Sequence, residues 1–306
     1  MEFKLAIIIL AHKNQSQLEI LLDTLIHKNI NIYVHLDRKM KITLLNCKNP
    51  NVRYFSSFSC SWASYSVVKA TLLCLDKAVE DKNDYISLIS GQDLPLVLPD
   101  EIYNFFQNKA NNNYLNYYEF NDFFYDDYIL YNHYFFHFSN TVIAFPSYEK
   151  PANKLMSYFH KSLDFVIKKK RFNLKLFYGQ QWLNIKYNSA EKILNFVKSN
   201  KSIEELFQYS ILPENFVFPT ILNLLDELES TENECFRFVD WIRLEPNSNP
   251  LIYDNWNNPR KSNHPRIFRE DDLKLLKNAS KDNIFARKFD ITVDANIIKK
   301  ILSGES

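Results

Sequence analysis

The sequence predicts an α/β protein whose mostly parallel sheet is flanked by helices. Over the first hundred residues, apolar runs of strand length alternate with stretches of helical periodicity. Their order is βαβαβ, which calls for parallel pairing with helices on both faces. The chain has 306 residues, 46% of them hydrophobic and 24% charged, enough to bury a sizeable core.

Phe3 to Leu10 reads as a first strand, apolar without a break. Leu18 to Ile26 repeats apolar residues at helical spacing after the polar start Asn14-Gln15-Ser16. Asn31 to Leu36 is a second strand ending at Asp37, and Val52 to Phe55 a short third. Trp62 to Val79 is a helix with Trp62, Tyr65, Val68, Leu72, Leu75 and Val79 on one face. Tyr85 to Ile89 is a buried strand, followed by Ser90-Gly91-Gln92-Asp93. The chain has only 3 glycines, so Gly91 and Gly179 mark places where a side chain is not tolerated. The turn is either a polar display at the carboxyl end of the sheet, where ligands bind, or a strand end whose Asp93 satisfies local backbone groups.

From Asn111 to Glu149 there is no Lys or Arg, and aromatic residues crowd between Asn and Asp. Pro151 to Lys170 reads as a helix ending in the basic run Lys168 to Arg171. Phe177 to Lys186 is a strand, Ser189 to Lys198 a helix, Pro213 to Leu228 a helix and Cys235 to Leu244 a strand. Pro246 to Pro265 is a loop, and the helices Asp271 to Leu276 and Asp294 to Leu302 follow. Without repeats or a linker, residues 1–306 read as one domain, with 1–110 and 111–306 as its two halves.

A formal net charge of +1 gives no footprint for nucleic acid. Cys47, Cys60, Cys74 and Cys235 match neither a zinc site nor a redox pair, which suits idle thiols in a reducing compartment. No signal peptide or membrane-length run is visible, so a cytoplasmic protein is expected, with contact at the inner face of the cell membrane allowed.

Several segments, in order, resemble the core-2/I-branching glycosyltransferases, the family that also holds the peptide xylosyltransferases. They are Ile8-Ile9-Leu10-Ala11-His12-Lys13 with Gln17-Leu18, then Val34-His35-Leu36-Asp37-Arg38-Lys39, then Ser61-Trp62-Ala63-Ser64-Tyr65-Ser66. Leu88-Ile89-Ser90-Gly91-Gln92-Asp93-Leu94-Pro95, Gly179-Gln180-Gln181-Trp182, Pro213-Glu214-Asn215-Phe216, Val239-Asp240-Trp241 and Ile284-Phe285-Ala286-Arg287-Lys288-Phe289-Asp290 complete the series. The animal members' anchor and stem are not visible here, as in the bacterial members.

The resemblance implies a GT-A fold and an inverting transfer from a UDP-sugar to a glycan hydroxyl, with no metal cofactor. UDP-N-acetylglucosamine is the first donor it suggests, with UDP-xylose and UDP-galactose open. The acceptor would belong to bacterial surface polysaccharide synthesis, a lipid-linked form included. The turn at Asp93 offers one carboxylate, fewer oxygens than a hard cation wants. The family's substitute is basic side chains, and Lys288 matches its diphosphate lysine. For the second cation the resemblance offers Arg266, whose spacing to Lys288 differs by about a residue from the family's, with Arg243, Arg269 and Arg287 competing. Asp37 matches the uridine contact, framed by Ala11, His12 and Arg38, while Ser90, Gly91, Gln92 and Asp93 complete the donor side. Gly179, Gln181, Trp182, Trp241 and Arg243 fall on the acceptor side, where indole faces suit sugar rings.

The acceptor hydroxyl needs a general base. The matched base position holds Asn215, whose amide cannot take a proton, and the neighbouring carboxylate is Glu214. Glu214 is the favoured base. A nucleotide- or sugar-binding protein without turnover is the rival reading, and a metal-dependent transferase using Asp93 a third.

Overall fold

The computed structural model describes residues 2–43, 45–62, 64–119, 174–208, 212–240 and 265–303. The aromatic-rich stretch beyond Glu119, the expected helix Pro151 to Lys170, the basic run Lys168 to Arg171, Trp241 and Arg243 lie outside the described residues.

The central sheet grows from three apolar runs. Strands β1 (Leu5–Ala11), β2 (Ile30–Leu36) and β4 (Tyr85–Ser90) pair in parallel, with β1 in the middle and β3 (Val52–Phe55) parallel to β2 at the edge. A strand buried on both faces has no polar side to alternate with, which explains the unbroken apolar sequences. Leu5, Ile7 and Ile9 point to one core, and Ala6 and Ile8 to the other.

The first core is closed by α1 (Gln15–Asp23) and α3 (Pro99–Lys109), through Leu18, Leu21, Ile102 and Phe106. The second is closed by α2 (Tyr65–Glu80), α4 (Tyr187–Ser199), α5 (Lys201–Phe207) and α6 (Glu214–Leu224). Helices α7 (Leu273–Ala279) and α8 (Ala295–Ser303) add Leu276, Ile297 and Ile298 to the first core.

The sheet is mixed rather than parallel throughout. β9 (Asn184–Lys186) runs antiparallel to both β4 and β6 (Asn113–Tyr114), and β10 (Thr231–Glu232) is parallel to β6. A second sheet orders β11 (Arg237–Val239), β12 (Phe285–Arg287) and β5 (Asp93–Pro95). A third pairs β7 (Tyr117–Glu119) with β8 (Phe177–Gly179).

Four expectations are corrected. Trp62 precedes its helix, which starts at Tyr65, and its ring is 48% exposed. The single strand Phe177 to Lys186 is two strands in different sheets: Phe177–Gly179 pairs with Tyr117–Glu119, while Asn184–Lys186 joins the central sheet. The helix from Pro213 stops at Leu224, and a 3-10 turn at Leu228–Ser230 follows. The strand from Cys235 begins only at Arg237. Helix α3 was not foreseen, although Pro99 at its first turn and the Glu101 carboxylate accepting from the Leu98 N–H at 2.8 Å are familiar start signals.

Both internal glycines answer to close backbone approach. A Cβ at Gly91 would lie 3.3 Å from the Ala11 Cβ. At Gly179 it would lie 1.8 Å from the Asn116 carbonyl oxygen. Gly179→Ala is therefore expected to cost at least about 2 kcal/mol of stability, read as a lower urea midpoint. An unchanged midpoint would remove the steric argument.

Candidate functional site

The carboxyl ends of β1, β2 and β4 meet at one edge of the sheet. The Gly91 N–H donates to the Leu10 carbonyl at 2.9 Å and the Asp37 N–H to the Ala11 carbonyl at 2.8 Å. These bonds place Ala11, Asp37 and the Ser90–Asp93 turn side by side. Asp37 is 4% exposed, and its carboxylate accepts from the Lys39 N–H at 2.8 Å. His12 and Arg38 lie exposed on the rim.

Strand β12 delivers the cations. It pairs antiparallel with β5, so that Arg287 stands opposite Asp93. Arg287 Nη1 is 3.0 Å from Asp93 Oδ1 and also donates to the Ser90 hydroxyl. Parallel pairing of β11 with β12 brings in Arg237, whose Nε lies 3.2 Å from Asp93 Oδ2. Arg237 Nη2 donates to the Leu88 carbonyl at 3.0 Å, while its Nη1 has no hydrogen-bond partner among the described residues. Burial pulls the Arg237 pKa down, and Asp93 opposes that shift. A buried charge cluster of this kind holds only while each member keeps its counterion.

Asp93 is 0% exposed, and its two oxygens also accept from the Ser90 N–H and hydroxyl at 2.9 and 3.0 Å. Its site is therefore internal: it anchors two guanidinium groups and the turn. Ser90 and Gln92 are buried with it. Asp93 thus follows the second reading of the turn, satisfying local groups, and Gly91 is buried with its neighbours.

Lys288 follows Arg287 and is half-buried. Among the described residues its amino group has no hydrogen bond or ion pair. Lost hydration, then Arg287 and Lys13, push its pKa down to about 8, against Asp290 and Asp93. Lys13 differs, since it pairs with Asp290 at 2.6 Å, and Asn14 Nδ2 donates to the same carboxylate at 2.8 Å. Against the desolvation of its carboxyl, hydrogen bonds from Lys13 and Thr292 hold Asp290 well below the usual carboxylate range. Lost hydration in the cleft, then Lys13, Arg287 and Lys288, push His12 down to about 4, so its ring is neutral at pH 7. His12, Lys13, Asp37, Arg287 and Lys288 thus share one electrostatic neighbourhood with a surplus of positive charge.

Arg266 stands apart from its expected role. Its Nε donates to Asp240 Oδ2 at 2.9 Å and its Nη1 to Asp272 Oδ1 at 2.8 Å. Two carboxylates already neutralise it, whereas Arg287 adjoins Lys288 directly. Arg269 is exposed.

On the acceptor side, Trp182 is 6% exposed, with the guanidinium carbons of Arg237 and Arg287 4.3 and 4.9 Å from its ring centroid. Its indole serves the cation cluster and is not an open sugar platform. Gly179 is packed on backbone, and Gln181 is half-buried. Glu214 and Asn215 occupy the first turn of α6, which packs on β8. Asn215 Nδ2 donates to the Tyr178 hydroxyl at 3.3 Å. Glu214 is 6% exposed, and its Oε2 has no hydrogen-bond partner among the described residues. Desolvation pushes its carboxyl up to about 7, against the pull of its own backbone N–H.

Sequence reasoning missed Arg237 and the part played by Gln17. The available signal for Arg237 was a lone cation in the apolar run Cys235-Phe236-Arg237-Phe238-Val239. Among the described residues, no group of three or more His, Cys, Asp or Glu side chains could hold a metal ion, and no helix is long and apolar enough to cross a membrane.

Fold and site define an α/β protein with a cluster of cations at the carboxyl edge of its sheet, the edge at which open sheets of this kind bind ligands. Residues 5–277 match the Core-2/I-Branching enzyme family, and the chain belongs to that family. It is a glycosyltransferase with a GT-A-like fold that draws on a UDP-sugar donor. The match ends before Lys288. No curated protein matches the chain. Among solved structures, the chain is similar to the crystal structure of A197 from STIV at 13% identity, over 62% of this chain and 68% of that one. The TM-score there is 0.26, which carries no argument.

Proposed function

We propose that the protein is an inverting transferase in which side-chain cations, with no metal ion, stabilise the departing UDP. The observation that carries this reading is Lys288: a half-buried amino group without a partner among the described residues, beside Arg287. An anion entering there offsets the lost hydration, and then the repulsion from Arg287 and Lys13, that hold Lys288 down, so the site gains most where negative charge grows. The carboxylate at the turn supports the same reading, because Asp93 is already shared by Arg237 and Arg287.

In the step proposed, Glu214 takes the proton of an acceptor hydroxyl. The hydroxyl oxygen forms a bond to the anomeric carbon from the face opposite the nucleotide. The bond from that carbon to the β-phosphate oxygen breaks, and UDP leaves with the electron pair. Asp37 would hold the uridine, with Ala11, His12 and Arg38 framing it. UDP-N-acetylglucosamine is the first donor to test, then UDP-xylose and UDP-galactose. The acceptor would be a bacterial surface glycan, free or lipid-linked, met in the cytoplasm at the inner membrane face.

Transfer in excess EDTA is expected to run at the rate found with added manganese, giving a β-linked product by NMR coupling. A rate lost in EDTA and restored by manganese would overturn metal independence. A product with the donor's own α configuration would overturn inversion.

A further inference from the structure

Gln17 lies on the first turns of α1, is 0% exposed, and bonds only to backbone. Its Nε2 donates to the Gly91 and Phe289 carbonyls, each at 3.1 Å. Its Oε1 accepts from the Ile291 N–H at 2.8 Å. The reversed amide would set its oxygen against two carbonyls, so the orientation follows from the partners. One side chain thus joins the end of β4 to the segment on either side of Phe289. Gln92 strengthens the same joint, since its carbonyl accepts from the Phe289 N–H at 2.9 Å. Lys288 is the residue immediately before that joint.

We infer that Gln17 is a positioning residue for Lys288, setting the backbone from which the lysine reaches the donor's diphosphate. This rests on the proposed role of Lys288. A buried amide making three bonds to two distant segments has more to do than cap a helix, because leaving any of those groups unpaired is costly. The Lys288 side chain, without a partner of its own among the described residues, depends on its backbone for aim.

The test is a double-mutant cycle on the full chain. Gln17→Glu keeps the shape but sets a carboxylate against two carbonyls. At pH 8 it is expected to lower kcat and UDP affinity together by at least about tenfold, with the acceptor KM unchanged. In a Lys288→Ala background the same change should alter the rate by less than about twofold. Lowering the pH protonates the introduced carboxyl and restores one donor, so the loss caused by Gln17→Glu should shrink relative to the native chain. Equal losses in both backgrounds would overturn the inference, because a general structural role acts whether or not Lys288 is present. If Gln17→Glu does not fold, Gln17→Asn, which keeps the amide but not the reach, carries the same cycle with the same criteria. If Lys288→Ala alone leaves the rate unchanged, the fault lies with the proposed function.

Discussion

Glu214→Gln is expected to abolish transfer, spare UDP affinity and make the folded chain more stable at pH 8. The buried carboxyl titrates near 7 in the folded chain, against an ordinary value of 4.5 in the unfolded one. Its folded pKa is raised, so stability is full below the unfolded value and falls as the pH climbs to about 7. Above that the native chain carries the whole cost of an ionised carboxylate with one oxygen unpartnered, about 3 kcal/mol at 1.36 kcal/mol per unit. Glutamine has the same shape and no such titration, so its advantage should grow as the pH rises to about 7, be complete above that and vanish below about pH 4. Denaturant unfolding at both pH values reads the stability, and a transfer assay reads the activity. A group retained at a cost to stability is the signature of a functional acid or base. Near-normal transfer by the variant would dismiss Glu214 as the base, and a stability gain that ignored pH would dismiss the titration.

The second expected result is a narrow bell in the pH dependence of kcat/KM. Its acid limb belongs to Glu214, which must lose its proton near 7 to act as base. Its alkaline limb belongs to Lys288, which loses its charge near 8. Bound diphosphate restores the lysine's pKa, so in kcat the alkaline limb should move upward. Lys288→Ala is expected to remove that limb and cost about 2–4 kcal/mol of transition-state stabilisation, roughly 30- to 1000-fold in rate. A variant keeping both its rate and its alkaline limb would take Lys288 out of the reaction.

The strands that build the cleft were plain in the sequence, because a parallel strand buried on both faces has to be apolar without a break. β1, β2 and β4 each begin or end within two residues of the expected run. Lys288 was legible through its motif only. Among the described residues it has no partner, and the nearby Asp290 carboxylate is held by Lys13, a pairing between positions 277 residues apart that no local pattern reveals. The split between β8 and β9 escaped for a similar reason, since β8 pairs with Tyr117–Glu119, distant in sequence. Arg266 and Arg287 show the remaining limit. Nearness in sequence suggested the first and left the second as a competitor, but which carboxylates each guanidinium meets, Asp240 and Asp272 or Asp93, only the fold decides.

The docking of β12 beside β5, and of Phe289 on Gln17, bears on how the protein is made. A ribosome delivers residues 5–95 before Lys288. Until the later stretch arrives, a nascent chain holds the parallel strands of the sheet but not the lysine on which the proposed donor contact rests. On that reading a polypeptide truncated between residues 95 and 288 should be catalytically silent.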